Sequence, residues 1–341
     1  MMQEKRNSAI VCCRVVSMLM IVLCHIVGMY TFIPGHGFLG DILNVGVYTF
    51  LAMSGYLYGS RTIRNYRTWL CKRVAAVVFP AWVMSVSVIV AEFLAGKQNG
   101  PFTIVTYLLG AQGLGFVFPR FYRYFSEIQV LGPLWFITVI MLCYCMLPLL
   151  QLLWERLNGG VMLLLFAVVA SSISFVLTWK CNIVLFYFLT FAIGYFLAAG
   201  EHCRSMSRGS IVAATILMVT AQVFRLILRR MCDGTPVYQS YTYLSHMILG
   251  LWIVCFFLVI YQICPELVDR LAQRRFMTAA NGISMYVYLT HYCFCRGSLN
   301  MYRIFTSLLP ATIAFAAATL LASVILKKFV EALVSVLKMN H

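Results

Sequence analysis

The chain has 341 residues, 62% of them hydrophobic and only 11% charged, whereas a soluble domain carries roughly 25% charged residues. That excludes an ordinary water-soluble protein, because a single core cannot absorb so much apolar surface. The net charge of +16 does not mark a nucleic-acid partner either, since the basic residues sort by membrane side.

The apolar runs fall near 8–30, 38–59, 74–95, 132–153, 160–177, 182–200, 209–228, 241–263, 279–295 and 304–327. They predict an all-α polytopic integral membrane protein with about ten transmembrane helices of about 20 residues each. A helix satisfies its own backbone in lipid, and the runs are continuous, without the sustained alternation of a membrane barrel. A single membrane domain over 1–341 is expected, with no soluble extension. The first run ends in Tyr30–Phe32 and not at a small-residue cleavage site, so it reads as a retained helix. With the N-terminus in the cytoplasm, Lys5, Arg6, Arg61, Arg64, Arg67, Lys72, Arg73, Arg270, Arg274, Arg275, Lys327 and Lys328 all fall on inner segments. This bias predicts a cytoplasmic (inner) membrane protein with both termini inside. The 13 cysteines are scattered, and Cys12–Cys13, Cys143-x-Cys145 and Cys293-x-Cys295 lack zinc or redox spacing. Neither a metal site nor a disulfide framework is expected.

Intramembrane ionisable groups suggest function by default. In the first helix Arg14 and His25 are eleven residues apart. Eleven steps of 100° end about 20° past three full turns, so the two side chains share one face, about 16 Å apart along the axis. Such a face lines a cavity, or else Arg14 snorkels and His25 bonds a neighbouring helix. The second helix carries Gly46-Val47, Phe50 and Ser54-Gly55-Tyr56 near its inner end, and its small pair permits close backbone approach. The basic cluster Arg61, Arg64, Arg67, Lys72 and Arg73 follows directly. It reads as a topology and lipid-headgroup signal, or as a site for a phosphate-rich cytoplasmic ligand.

The long outer connection near 96–131 ends in an aromatic block, Phe116 to Phe125, with Arg120 and Arg123 inside it. An interfacial belt and a lid over an outer pocket are both compatible with it. Glu127 precedes Gly132-Pro-Leu-Trp135-Phe136 at the start of the fourth span. The ninth span carries Ser284, Tyr288 and His291 on one face. His25 and His291 belong to the outer half, which predicts one shared pocket, while His246 reads as interfacial or structural. The polar elements thus divide between an inner end (Arg14, Ser54 and the basic cluster) and an outer end (His25, Asp41, Glu127, Trp135 and His291). An enzyme that takes a charged donor from the cytoplasm and modifies an outer acceptor needs this division. So does a transporter or flippase of an anionic glycan or lipid, although the internal repeats and broken helices frequent in such proteins are not apparent.

Four motifs in order resemble those of the membrane-bound acyltransferase 3 family: Arg14 and His25 with ten residues between them, Gly46-Val47 with Phe50 and Ser54-Gly55-Tyr56, Leu134-Trp135-Phe136, and Ser284 with Tyr288-Leu289 and His291. The sequence departs from the family where Arg-x-x-Arg often enters the third helix, giving Lys72-Arg73 followed by Val74-Ala75-Ala76. The resemblance implies an acyltransferase-like domain that moves an acyl group, with acetyl expected, from acyl-CoA to a hydroxyl of a sugar or glycolipid. Acyl-CoA is then a donor substrate, and no permanently bound cofactor is expected. By resemblance His25 is general base or transient acyl carrier. Arg14, Lys72 and Arg73, helped by Arg64, Arg67 and Ser54, meet the donor. His291, Tyr288 and Trp135 shape the acceptor and thioester pocket, with Asp41 or Glu127 as a carboxylate that orients a histidine.

Overall fold

A computed structural model describes residues 2–30, 35–59, 61–117, 128–156, 183–200, 208–297 and 299–336. The described elements are α1 (Met2–Val27), α2 (His36–Leu43), α3 (Val45–Gly59), α4 (Tyr66–Arg73), α5 (Phe79–Leu94), α6 (Pro101–Leu108), α7 (Leu114–Val117), α8 (Trp135–Cys145) and α9 (Leu147–Arg156). They continue with α10 (Ile183–Ala199), α11 (Arg208–Cys232), α12 (Pro236–Ile263), α13 (Pro265–Gln273), α14 (Arg275–Cys295), α15 (Met301–Ile304) and α16 (Leu308–Val336). A π-helical turn, Val74–Val78, joins α4 to α5, and a 3-10 segment, Gln129–Leu134, leads into α8. No strand occurs among the described residues.

Among the described residues, seven helical segments are long and apolar enough to cross a membrane. Three of the ten expected runs are not among these seven. The run at 182–200 forms a shorter apolar helix, Val184–Ala199. The run at 279–295 lies within α14, which opens on Arg275 and carries Asn281, Ser284 and His291. The run at 160–177 lies outside the described residues, as do the aromatic block 118–125 and Glu127.

Local chemistry sets many of the ends. Asn65 caps α4, its side-chain oxygen accepting from Thr68 N–H at 3.0 Å. Pro80 lies in the first turn of α5 and has no N–H to return to the preceding turn, and the helix widens there into the π turn. Thr235 caps α12 by accepting from Tyr238 N–H at 3.3 Å, with Pro236 in the first helical position. Pro265 separates α12 from α13.

Backbone contacts divide the chain into two units. The first comprises 1–21, 41–62 and 146–281. Its centre is α3, with most of its residues buried. Gly55 and Gly59 lie four apart on one face, and a Cβ on either would collide with the backbone of Phe191 or Tyr195 in α10. Gly194 of α10 meets the backbone of Ala52 in return. Lipid provides no hydrophobic drive between helices, so this backbone-to-backbone approach supplies the dispersion contact that holds the pair. Gly46 rests on Ser17 and Ile21 of α1, and Gly250 of α12 rests on Tyr48 and Thr49. The Gly-Val and Ser-Gly elements of the second-helix motif are therefore packing devices. α11 attaches through a polar stripe: Gln222 donates to Ser245 O at 2.9 Å and Thr215 accepts from Trp252 Nε1–H at 3.1 Å. Elsewhere α11 exposes Val212, Ile216, Leu217 and Val223, the composition of a lipid-facing surface.

The second unit comprises 22–40, 63–145 and 282–341. Here the C-terminal part of α14 packs on α16 through hydroxyls, with Thr290 Oγ1 and Ser323 Oγ 2.9 Å apart and Ser323 donating to Thr319 O at 2.6 Å. Gly113 N–H donates to Thr138 Oγ1 at 3.0 Å, Thr138 donates to Gly110 O at 2.6 Å, and Gln112 Nε2 donates to Leu134 O at 2.9 Å. These bonds tie the loop between α6 and α7 to the end of the 3-10 segment and the first turn of α8.

Candidate active site

In the second unit the structure brings two histidines into direct contact. His25, in the last turn of α1, places its Nδ1 2.9 Å from Nε2 of His291 on α14, with ring centroids 5.0 Å apart. His291 is fully buried, whereas His25 keeps partial exposure. The bonding partners assign the tautomers. Nδ1 of His291 lies 2.7 Å from Tyr288 O and 3.1 Å from Val287 O. Carbonyl oxygens only accept, so His291 carries its proton on Nδ1 and offers a lone pair at Nε2. His25 then donates its Nδ1–H to that lone pair, and its own Nε2 is left as a base.

The surroundings hold this geometry. Tyr292 meets the His25 ring edge-on at 4.8 Å. Tyr288 lies 6.0 Å from the His291 ring, tilts against Phe136 at 5.7 Å, and donates its hydroxyl to Pro133 O in the 3-10 segment. Trp135, the first residue of α8, is half-buried and packs edge-on against Phe136 at 6.1 Å. His25, His291, Tyr288 and, through Phe136, Trp135 thus belong to one cluster.

The first unit holds Arg14, Asp41 and His246. Arg14 is half-buried on α1, and its Nη1–H donates to Asn281 Oδ1 of α14 at 2.9 Å. Asp41, expected as a carboxylate that orients a histidine, accepts from Arg225 Nη1 at 2.6 Å. Arg225 is 2% exposed on α11, and a buried guanidinium needs a countercharge nearby, which claims the carboxylate. The same Nη1 lies 2.6 Å from His246 Nε2. Arginine only donates, so His246 accepts there and is neutral, and its 3.5 Å approach to Asp41 is not an ion pair. His246 is 2% exposed, buried within the protein.

Of the expected donor-site residues, Ser54 is half-buried on α3. Arg64, Arg67 and Lys72 are exposed at and beside α4, and Arg73 is half-buried immediately before the π turn. π turns frequently occur at functional sites. Glu127 lies outside the described residues. Sequence reasoning passed over Asn281, Arg225 and Tyr292. The available signal for the first was an amide ten residues before His291, and for the second a charge within the apolar run 209–228.

A family model described as an acyltransferase domain, acyltransferase 3, matches residues 7–328. The chain belongs to the acyltransferase 3 family. No curated protein and no solved structure matches it. The match runs from before Arg14 to beyond Ser323, so this acyltransferase carries both histidines, Arg14 and Asn281 within its family region. Together with seven membrane-length apolar helices, membership makes the chain a multi-pass membrane acyltransferase.

Proposed function

We propose that this acyltransferase moves an acetyl group from cytoplasmic acyl-CoA to a hydroxyl of a cell-surface or lipid-linked sugar. In this reading it crosses the cell's inner membrane about ten times, with both termini in the cytoplasm. The observation that carries the chemistry is the His25–His291 pair, in which a buried, tautomer-locked histidine leaves His25 with a free basic nitrogen.

Acyl transfer to a hydroxyl requires a base for the acceptor proton. The acceptor oxygen attacks the thioester carbonyl carbon while its proton passes to His25 Nε2. The resulting imidazolium keeps its Nδ1–H on His291, which holds the ring in place while it is charged. The tetrahedral intermediate then expels the coenzyme A thiolate. His25 returns the proton to sulfur, so an oxygen ester and the free thiol leave. Arg14, about 16 Å down the same helix, meets the donor's polar arm or phosphates. Lys72 and Arg73, with Arg64 and Arg67, meet the nucleotide phosphates, and Ser54 lies on the donor side. His291, Tyr288 and Trp135 shape the thioester and acceptor pocket.

Mass spectrometry of surface glycans and glycolipids from native cells, comparing the parent with His25→Ala at matched protein level, tests the reading. Loss of an acyl-sized mass increment in the variant is the expected result and names acyl group and acceptor together. An unchanged profile overturns it. An acyl group trapped covalently on His25 would reassign that residue from base to carrier.

A further inference from the structure

We propose that Arg296 selects the acceptor: its guanidinium binds an anionic group, a carboxylate or a phosphate, on the sugar whose hydroxyl is acylated at His25. The inference rests on the reading of His25 as the base and adds a residue that lies outside every motif.

Arg296 belongs to the same unit as the histidine pair and follows α14 directly. Its backbone N–H donates to Tyr292 O at 2.9 Å, which continues the helical bonding one residue past Cys295. Tyr292 and Arg296 therefore lie on one face, a turn apart. Tyr292 is the ring that meets His25 at 4.8 Å and His291 at 6.1 Å. Arg296 stands beyond the pair, about 7.5 Å along the helix axis from His291, and its guanidinium acts electrostatically on His25. The next residue fixes it there. Gly297 takes a φ of 80°, the left-handed conformation that ends a helix. A Cβ on it would lie 2.5 Å from Val130 Cγ1 in the 3-10 segment.

What this guanidinium lacks is a countercharge. The described carboxylates of the unit are Glu92 and Glu331, and each has a lysine beside it, Lys97 at 3.3 Å and Lys327 at 3.9 Å. Among the described residues no group accepts a hydrogen bond from the Arg296 side chain. Arg225 shows the alternative, with the Asp41 carboxylate already in place at 2.6 Å. Arg296 is half-buried, and its planar fork of donors matches the paired oxygens of a carboxylate or phosphate. The transfer step adds to the demand. When His25 takes the acceptor proton it becomes an imidazolium, so a second positive charge develops beside Arg296. An anion on the acceptor meets both charges where the dielectric is low, and a neutral sugar meets neither.

The test takes glycan from cells carrying His25→Ala and uses it as acceptor, with acetyl-CoA, for the full-length protein in lipid nanodiscs. The parent, Arg296→Ala and Arg296→Lys are compared, with folding checked by size exclusion and thermal unfolding. Arg296→Ala is expected to raise the acceptor KM about 10- to 100-fold, the scale of a lost hydrogen bond to a charged group, with the acetyl-CoA KM unchanged. Arg296→Lys is expected to recover part of that loss. Amidating the carboxylates of the glycan, or stripping its phosphates, is expected to raise the parent's acceptor KM by a similar factor and to leave that of Arg296→Ala as it is. An acylated sugar without an anionic group would overturn the proposal, as would an acetyl-CoA KM that rises in place of the acceptor KM. An unchanged acceptor KM in Arg296→Ala would overturn it too, and a lower unfolding temperature alongside would mark Arg296 as an anchor for lipid headgroups. Absence of transfer from the parent to this glycan would instead overturn the reading of His25 as the base in sugar acylation.

Discussion

Two histidines of this acyltransferase each have a partner nitrogen closer than 3 Å, and the partner decides what each can do. His25 faces the Nε2 lone pair of His291, so it spends its proton on the bond and retains a basic nitrogen. His246 faces the Nη1 of Arg225, an obligate donor, so it spends its lone pair on the bond and has none left at that nitrogen. The residue type is the same. The difference is the direction of one hydrogen bond, set in each case by a neighbour whose own donor or acceptor character is not negotiable: backbone carbonyls behind His291, and a carboxylate-paired guanidinium beside His246.

Substituting each histidine in turn breaks the comparison most directly. His25→Ala should lower transfer about 10²- to 10⁴-fold, the usual contribution of a general base, with an unchanged thermal unfolding profile; acyl transfer per folded molecule is the measurement. His246→Ala should show the opposite, a lower unfolding temperature with activity per folded molecule retained. If His246→Ala abolished turnover in fully folded protein, the assignment of roles would be reversed. His291→Ala should fall between the two, with a smaller loss of turnover than His25→Ala, because the base survives but its ring is no longer held.

The clamp beside His246 yields the next largest effect. Arg225→Ala leaves the Asp41 carboxylate without its partner and should cost about 3–5 kcal/mol, the scale for breaking a buried pair. It is read as loss of folded protein in detergent. The double variant Asp41→Asn/Arg225→Met removes both charges and should recover most of that loss, as apolar replacements of buried pairs often do. Recovery would confine the pair to stability and leave the chemistry with His25.

Smaller effects sharpen the comparison at the level of packing. Gly59→Ala pushes a Cβ into the Tyr195 backbone and should destabilise the first unit by about 1–3 kcal/mol, measured by thermal unfolding. Tyr288→Phe removes the hydroxyl bond to Pro133 and should cost about 1 kcal/mol. It is expected as a few-fold fall in turnover, because Tyr288 O also receives the His291 proton and that backbone position must stay in place.

The amino-acid sequence by itself determined the membrane character, the helical class and the shared face of Arg14 and His25, because hydropathy and a 3.6-residue period are local properties that no distant contact can alter. It also carried the pairing of His25 with His291 as an expectation from similar depth, and the family motifs in order. Tertiary structure alone decided which distant partner each polar group acquired: Asp41 went to Arg225, Asn281 went to Arg14, and His25 went to Nε2 of His291, whose own proton is held locally by carbonyls three and four residues back in the same helix. Those partners come from residues up to 267 positions apart, and in a low-dielectric interior each buried donor takes whichever acceptor the helix packing delivers. The tautomer of the base is a consequence of that packing, and no pattern along the chain encodes it.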